Sequence, residues 1–102
     1  MDVTGLLSEL DTGSHSEAFF EDLLRVHPRE FLEKFKTLSD ENGGTIGLNI
    51  PFSKGGFEIA SLSAGLAKGA VFSVLKGLNQ NSYALSRPPG HHCLRDLPNG
   101  FC

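Results

Sequence analysis

The chain has 102 residues, a net charge of −3, and 39% apolar and 21% charged residues. This is enough for one small domain, too apolar for a disordered tail, and short of the ~18 consecutive apolar residues a membrane-spanning helix needs. Nine basic residues against twelve acidic ones leave no electrostatic footprint for a nucleic acid, and two cysteines are too few for a disulfide scaffold.

The first twenty residues contain no Lys or Arg, so they do not read as a secretory leader, and the expected setting is cytoplasmic. Ser14 and Glu17 stand at capping-box spacing ahead of Ala18, Phe19 and Phe20, which predicts a short helix starting near Ser14. His27-Pro28 breaks the chain, because the residue before proline is pushed out of the α region. Pro28 then suits the first position of a new helix. Phe31, Leu32, Phe35 and Leu38 fall on one face of it.

Residues 40 to 56 turn to Gly, Asn, Pro and Ser. That composition is too polar for a core element, and the stretch is long for a plain connector, which is often the mark of a functional loop. From Gly56 or Phe57 to Gly77 the chain is strongly helical. Ile59, Leu62, Leu66, Ala70 and Val74 repeat every three or four residues, and Gly77 is a plausible stop. Gly65 and Gly69, four apart on one face, suit the close approach of another backbone or plain packing against a sheet. Asn81 to Ser86 reads as a short strand. A long helix followed by an apolar strand is the second half of a β-α-β crossover, so the fold class expected is α/β with a parallel sheet.

The informative part follows that strand: Arg87-Pro88-Pro89-Gly90-His91-His92-Cys93, then Gly100-Phe101-Cys102. In open α/β sheets ligands bind beyond the carboxyl ends of the strands. A rigid Pro-Pro-Gly turn there would present two imidazoles to the site. The segment RPPGHHCLRDLPNGFC, with Asp22 to His27, Pro51 to Glu58 and the long helix, resembles the histone deacetylase and acetylpolyamine amidohydrolase superfamily. The resemblance makes residues 1–102 the amino-terminal portion of such a domain, with 1–18 a weakly matched lead-in. It implies an arginase/deacetylase-like three-layer fold, here incomplete.

The resemblance further implies a zinc-dependent hydrolase that removes acetyl groups from acetyl-lysine or acetylpolyamines, with no direct nucleic-acid or membrane partner. His91 and His92 match the pair acting as general base and acid beside the metal. Gly100 and Phe101 match a backbone acceptor and an aromatic wall of the tunnel around the acyl-lysine stem. Asn49 stands where relatives usually carry an aspartate at the substrate rim, and an amide there can hydrogen-bond but supplies no charge. Cys93 replaces the usual alanine.

In the superfamily the zinc ligands, two aspartates and a histidine, come after the Gly-Phe-Cys motif, and none has a matching position here. A cluster of His91, His92, Cys93 and Cys102 is a conceivable zinc site, but its spacing fits no common pattern. Zinc lowers the pKa of its bound water from about 15.7 to about 7, roughly 12 kcal/mol of hydroxide availability. A general-base histidine alone contributes only ~10²–10⁴ in rate. The expectation is a chain that holds no zinc by itself and is an inactive piece of an amidohydrolase. The alternative is a non-catalytic binding module derived from the same fold, most simply self-associating.

Overall fold

A computed structural model of the chain describes residues 13, 17–46, 50–90 and 92–97. The Ser14 cap expected for the first helix lies outside them. Glu17 to Phe19 are not helical, and α1 is the short helix Phe20–Leu24. Its first turn is tied by the Asp22 carboxylate, which accepts the Phe19 N–H at 3.2 Å. Pro28 sits just ahead of the first turn of α2, Arg29–Glu41, in an extended conformation. Its missing N–H is not needed there. The face Phe31, Leu32, Phe35 and Leu38 turns inward as expected, with Leu32 only 2% exposed.

The glycine-rich stretch is not a loop throughout. It holds a hairpin of β1, Gly43–Ile46, and β2, Ile50–Ser53, which pair antiparallel from Gly43 opposite Ser53 to Ile46 opposite Ile50. Gly43 makes this possible. Its φ is +80°, and a Cβ there would come within 2.9 Å of the Ser53 backbone, so only glycine fits without strain. Pro51 is tolerated because both strands of a two-stranded sheet are edges. Phe52 packs its ring edge-on against Phe35 at 4.9 Å, and Phe35 meets Phe57 at 5.3 Å. The small core is therefore an aromatic cluster between α2, the hairpin and the start of the next helix.

That helix, α3, is Gly56–Leu75, about 30 Å long at 1.5 Å per residue. Gly55 precedes it at φ +86° and carries no side-chain cap. The cap comes instead from α2: the Ser39 hydroxyl accepts the Phe57 N–H at 3.0 Å and donates to Glu58 at 3.2 Å. The Gly55 N–H donates to the Ser39 carbonyl at 3.1 Å, so one wholly buried serine joins the two helices. Lys36 bridges Asp40 and Glu58, both at 3.0 Å. At the far end Gly77 (φ +75°) closes a Schellman turn, with Leu78 N–H to Ser73 carbonyl at 2.9 Å and Gly77 N–H to Val74 carbonyl at 3.0 Å.

The buried residues of α3 are Phe57, Ser61, Ser63, Gly65 and Gly69, so beyond Phe57 the helix packs through its small residues rather than through the apolar repeat. Ile59, Leu62 and Val74 of that stripe are exposed, as are Val71, Phe72 and Leu75. The small residues let backbone approach: the Ala18 N–H donates to the Ser61 carbonyl at 2.9 Å. By length and composition alone α3 could also cross a membrane, a property the count of consecutive apolar residues did not bring out.

Residues 81–86 form no strand, and Tyr83 is 86% exposed. Among the described residues the only sheet is the antiparallel hairpin, so the parallel sheet expected from the crossover pattern is not formed here. A strand exists only through hydrogen bonds to a neighbour, and nothing in the described chain lies alongside 81–86 to supply them.

Candidate functional site

The proline-glycine turn that follows residues 81–86 is anchored to α3. Ser63, buried in that helix, donates its hydroxyl proton to the Pro88 carbonyl at 2.8 Å and lies 3.0 Å from the Ser86 hydroxyl. A carbonyl only accepts, and Ser63 has one proton, so Ser86 is the donor in the second contact. Gly90 adopts φ +76°, a left-handed conformation natural only to glycine. The Cys93 N–H then donates to the Gly90 carbonyl at 3.2 Å, and the Leu94 N–H to the Leu97 carbonyl at 3.0 Å. His92 projects from the first of these turns and is exposed, with half-buried Cys93, a free thiol, beside it.

Of the residues singled out in the sequence for the site, His92 and Cys93 fall among those described. His91, Asn49, Gly100, Phe101 and Cys102 lie outside them. The Pro-Pro-Gly segment ahead of His92 is anchored on a helix rather than at the end of a paired strand.

Beyond the turn, His27 reaches across to residue 95. Its Nδ1 lies 2.6 Å from the Arg95 carbonyl oxygen, and since that oxygen only accepts, Nδ1 carries the proton. The ring stacks on Phe31, with centroids 5.2 Å apart and planes 18° from parallel. Sequence reasoning assigned no role to His27 or Ser63. The signal for Ser63 was available: a hydroxyl in an apolar helix must find a partner once buried.

Two ion pairs join α3 to the other helices. Lys68 of α3 meets the half-buried Asp22 of α1 at 2.7 Å, and the hydrogen bond from Lys68 pulls the Asp22 carboxyl below its ordinary range. Lys36 does the same to Glu58, while Glu58 first and Asp40 second push the Lys36 ammonium up.

Among the described residues no three His, Cys, Asp or Glu side chains converge as a metal-ligand set. His92 and Cys93 alone do not constitute a zinc site, so the described donors do not fit that metal.

An α/β chain that presents a histidine on a glycine-closed turn behind Arg-Pro-Pro-Gly has the framework of a deacetylase. The sequence model of the histone deacetylase domain matches residues 1–102, and the chain belongs to that family. It is 55% identical over its full length to the histone deacetylase-like amidohydrolase of Pseudomonas aeruginosa, covering 27% of that protein. It is 38% identical to the polyamine deacetylase HDAC10 of Rattus norvegicus, over 96% of this chain and 18% of that one. The crystal structure of the HDA15 HD domain superposes with a TM-score of 0.80 at 28% identity, over 88% of this chain and 26% of that one. The chain thus spans 18% to 27% of the length of these proteins.

Proposed function

We propose that this chain contributes the histidine-bearing part of a zinc-dependent amidohydrolase that removes acetyl groups from acetyl-lysine or acetylpolyamines. The reading rests on one observation above all: the family match runs through every residue of the chain, including the Arg87–Cys102 motif. The names of the relatives, amidohydrolase and polyamine deacetylase, support the substrate class.

In this reading His91 and His92 move protons. One imidazole nitrogen takes the proton of the attacking water, and the pair returns a proton to the amine nitrogen as the amide C–N bond breaks. Phe101 walls the tunnel with a flat apolar face that sheds water from a methylene stem, and the Gly100 carbonyl accepts a hydrogen bond from the substrate. Asn49 holds the rim without a charge, so a peptide backbone is gripped less firmly than by a carboxylate. Zinc, when bound in the parent enzyme, supplies Lewis acidity; its ligands belong to parts of such enzymes that this chain does not match. The 102-residue chain alone is then inactive and cytoplasmic, an incomplete piece of the three-layer fold with its parallel sheet.

The experiment is a chimera in which this chain replaces the matching first quarter of the Pseudomonas amidohydrolase, assayed with a fluorogenic acetyl-lysine peptide and an acetylpolyamine. The chimera should deacetylate, and His91→Ala or His92→Ala should each lower kcat by at least ~10²-fold. Deacetylation by the isolated chain, or a folded chimera indifferent to both substitutions, would refute the assignment. The exposed apolar residues of α3 favour one other reading, a self-associating module without catalysis, for which the chimera would fold and stay inactive.

A further inference from the structure

The backbone on either side of His92 is gripped by side chains to which the deacetylase reading gives no part. Ahead of it, Ser63 binds the Pro88 carbonyl at 2.8 Å and the Ser86 hydroxyl at 3.0 Å. Behind it, His27 donates from Nδ1 to the Arg95 carbonyl at 2.6 Å. These two contacts come from different elements, the middle of α3 and the break between α1 and α2. His92 is exposed, so burial does not fix where its ring sits. The backbone that carries it runs between the two anchors. That backbone is short: Gly90 and Cys93 close one turn and Leu94 and Leu97 the next.

We propose that Ser63 and His27 are positioning residues, a two-point clamp that sets the histidine turn in register with α3 and α2. Ser63 is suited to it because its single proton is committed to a carbonyl that cannot donate back. Its lone pair meanwhile takes the Ser86 proton, so one buried hydroxyl fixes two points of the incoming chain. His27 is suited because stacking on Phe31, with planes 18° from parallel, orients the ring and aims Nδ1 at one oxygen. Catalytic geometry of this kind tolerates displacements of only about 0.5 Å, and neither contact spans a flexible long side chain. The inference rests on the deacetylase reading for what the clamp is for, though not for its existence.

The test is NMR near pH 8 on the 15N-labelled 102-residue chain carrying Val71→Lys and Leu75→Lys, two exposed positions in the last turns of α3 whose charge opposes self-association. The long-range imidazole spectrum should show His27 as the Nδ1–H tautomer. Ser63→Ala should drop the order parameters of residues 84–90 from about 0.85 to below about 0.6, leaving α2 and α3 unchanged. His27→Phe keeps a ring for Phe31 and removes the donor, and it should do the same to residues 92–97. Ser63→Thr restores the hydroxyl and His27→Asn restores an N–H near the Nδ1 position, and both should return the turn to wild-type order. An Nε2–H tautomer, unchanged order in either disruptive variant, failure of both conservative variants, or order lost equally through α2 and α3 would overturn the clamp. None of these readouts needs activity, so an inactive chimera would count against the deacetylase reading and leave the clamp standing.

Discussion

Ser39 carries more of this structure than its size suggests. It is wholly buried, and it supplies the first turn of α3 with the cap that Gly55 has no side chain to give. Removing the hydroxyl strands the Phe57 N–H in a buried setting and takes a donor from Glu58. A buried donor left unsatisfied costs about 1–3 kcal/mol, more than the net value of an ordinary hydrogen bond. Ser39→Ala is therefore expected to lower the unfolding free energy, read from the urea midpoint and slope, by that amount, whereas Thr37→Ala, on the exposed side of α2, should stay within about 0.5 kcal/mol. Equal midpoints for the two variants would show that water or relaxation caps α3 in place of the serine. The comparison matters because one turn of helix separates Phe57, in the aromatic core, from Ser61, which begins the small-residue face.

At the scale of elements, charge joins what packing leaves loose. Asp22 and Lys68 link α1 to α3, and the Lys36, Asp40 and Glu58 group links α2 to α3. Asp22 and Glu58 are held below their ordinary values by these lysines. Their contribution is thus complete above the usual carboxylate range of about 4 and is lost as pH falls through the lowered folded-state values. Lys36 is raised, so its contribution is complete below about 10 and is lost as pH rises through its folded-state value. Stability should be flat between, with an acid limb that Glu58→Gln makes shallower and 0.5 M salt weakens. Lys36 and Glu58 are more than a third exposed, and exposed pairs are worth about 0–1 kcal/mol, so the limb is shallow. Urea midpoints at pH 3, 5 and 7 measure it, and an acid limb untouched by Glu58→Gln would assign it to other groups.

The two long helices were legible because a 3.6-residue period, Pro28 and Gly77 are all local signals. The hairpin was not, since Gly43, Gly44 and Pro51 are poor strand formers and only their pairing across 47–49 makes a strand of them. The 81–86 segment goes the other way: it has strand composition and no strand beside it among the described residues. For α3 the period located the apolar stripe correctly, but burial follows what the chain brings up against the helix, and here that is the side of Ser61, Ser63, Gly65 and Gly69. The Arg-Pro-Pro-Gly-His-His motif stood out by itself. Its anchors did not, because Ser63 and His27 meet it across 25 and 68 residues of chain.

For the whole molecule the decisive feature is the outer side of α3. Ile59, Leu62, Val71, Phe72, Val74 and Leu75 are all more than a third exposed, and Tyr83 and Leu85 add to the bare surface beyond the helix. Exposed large apolar side chains in this number on one helix suit an interface. The relatives offer a reason for it, since the chain matches only about a quarter of their length. With nothing else in solution to cover that side, the isolated chain should self-associate. Sedimentation velocity would then show a distribution that shifts to larger species between about 10 and 100 μM, the range in which exposed apolar surface drives association. Val71→Lys with Leu75→Lys should return the chain to a monomer without loss of helix signal, because two cations in the last turns also complement the helix dipole. The substitutions lie far from Ser39 and from the aromatic core, so their effect on folding and on association can be read separately. A monomer at every concentration in the unsubstituted chain would mean that the apolar residues of α3 are already covered in solution, and the parent-domain account of that surface would fail with it.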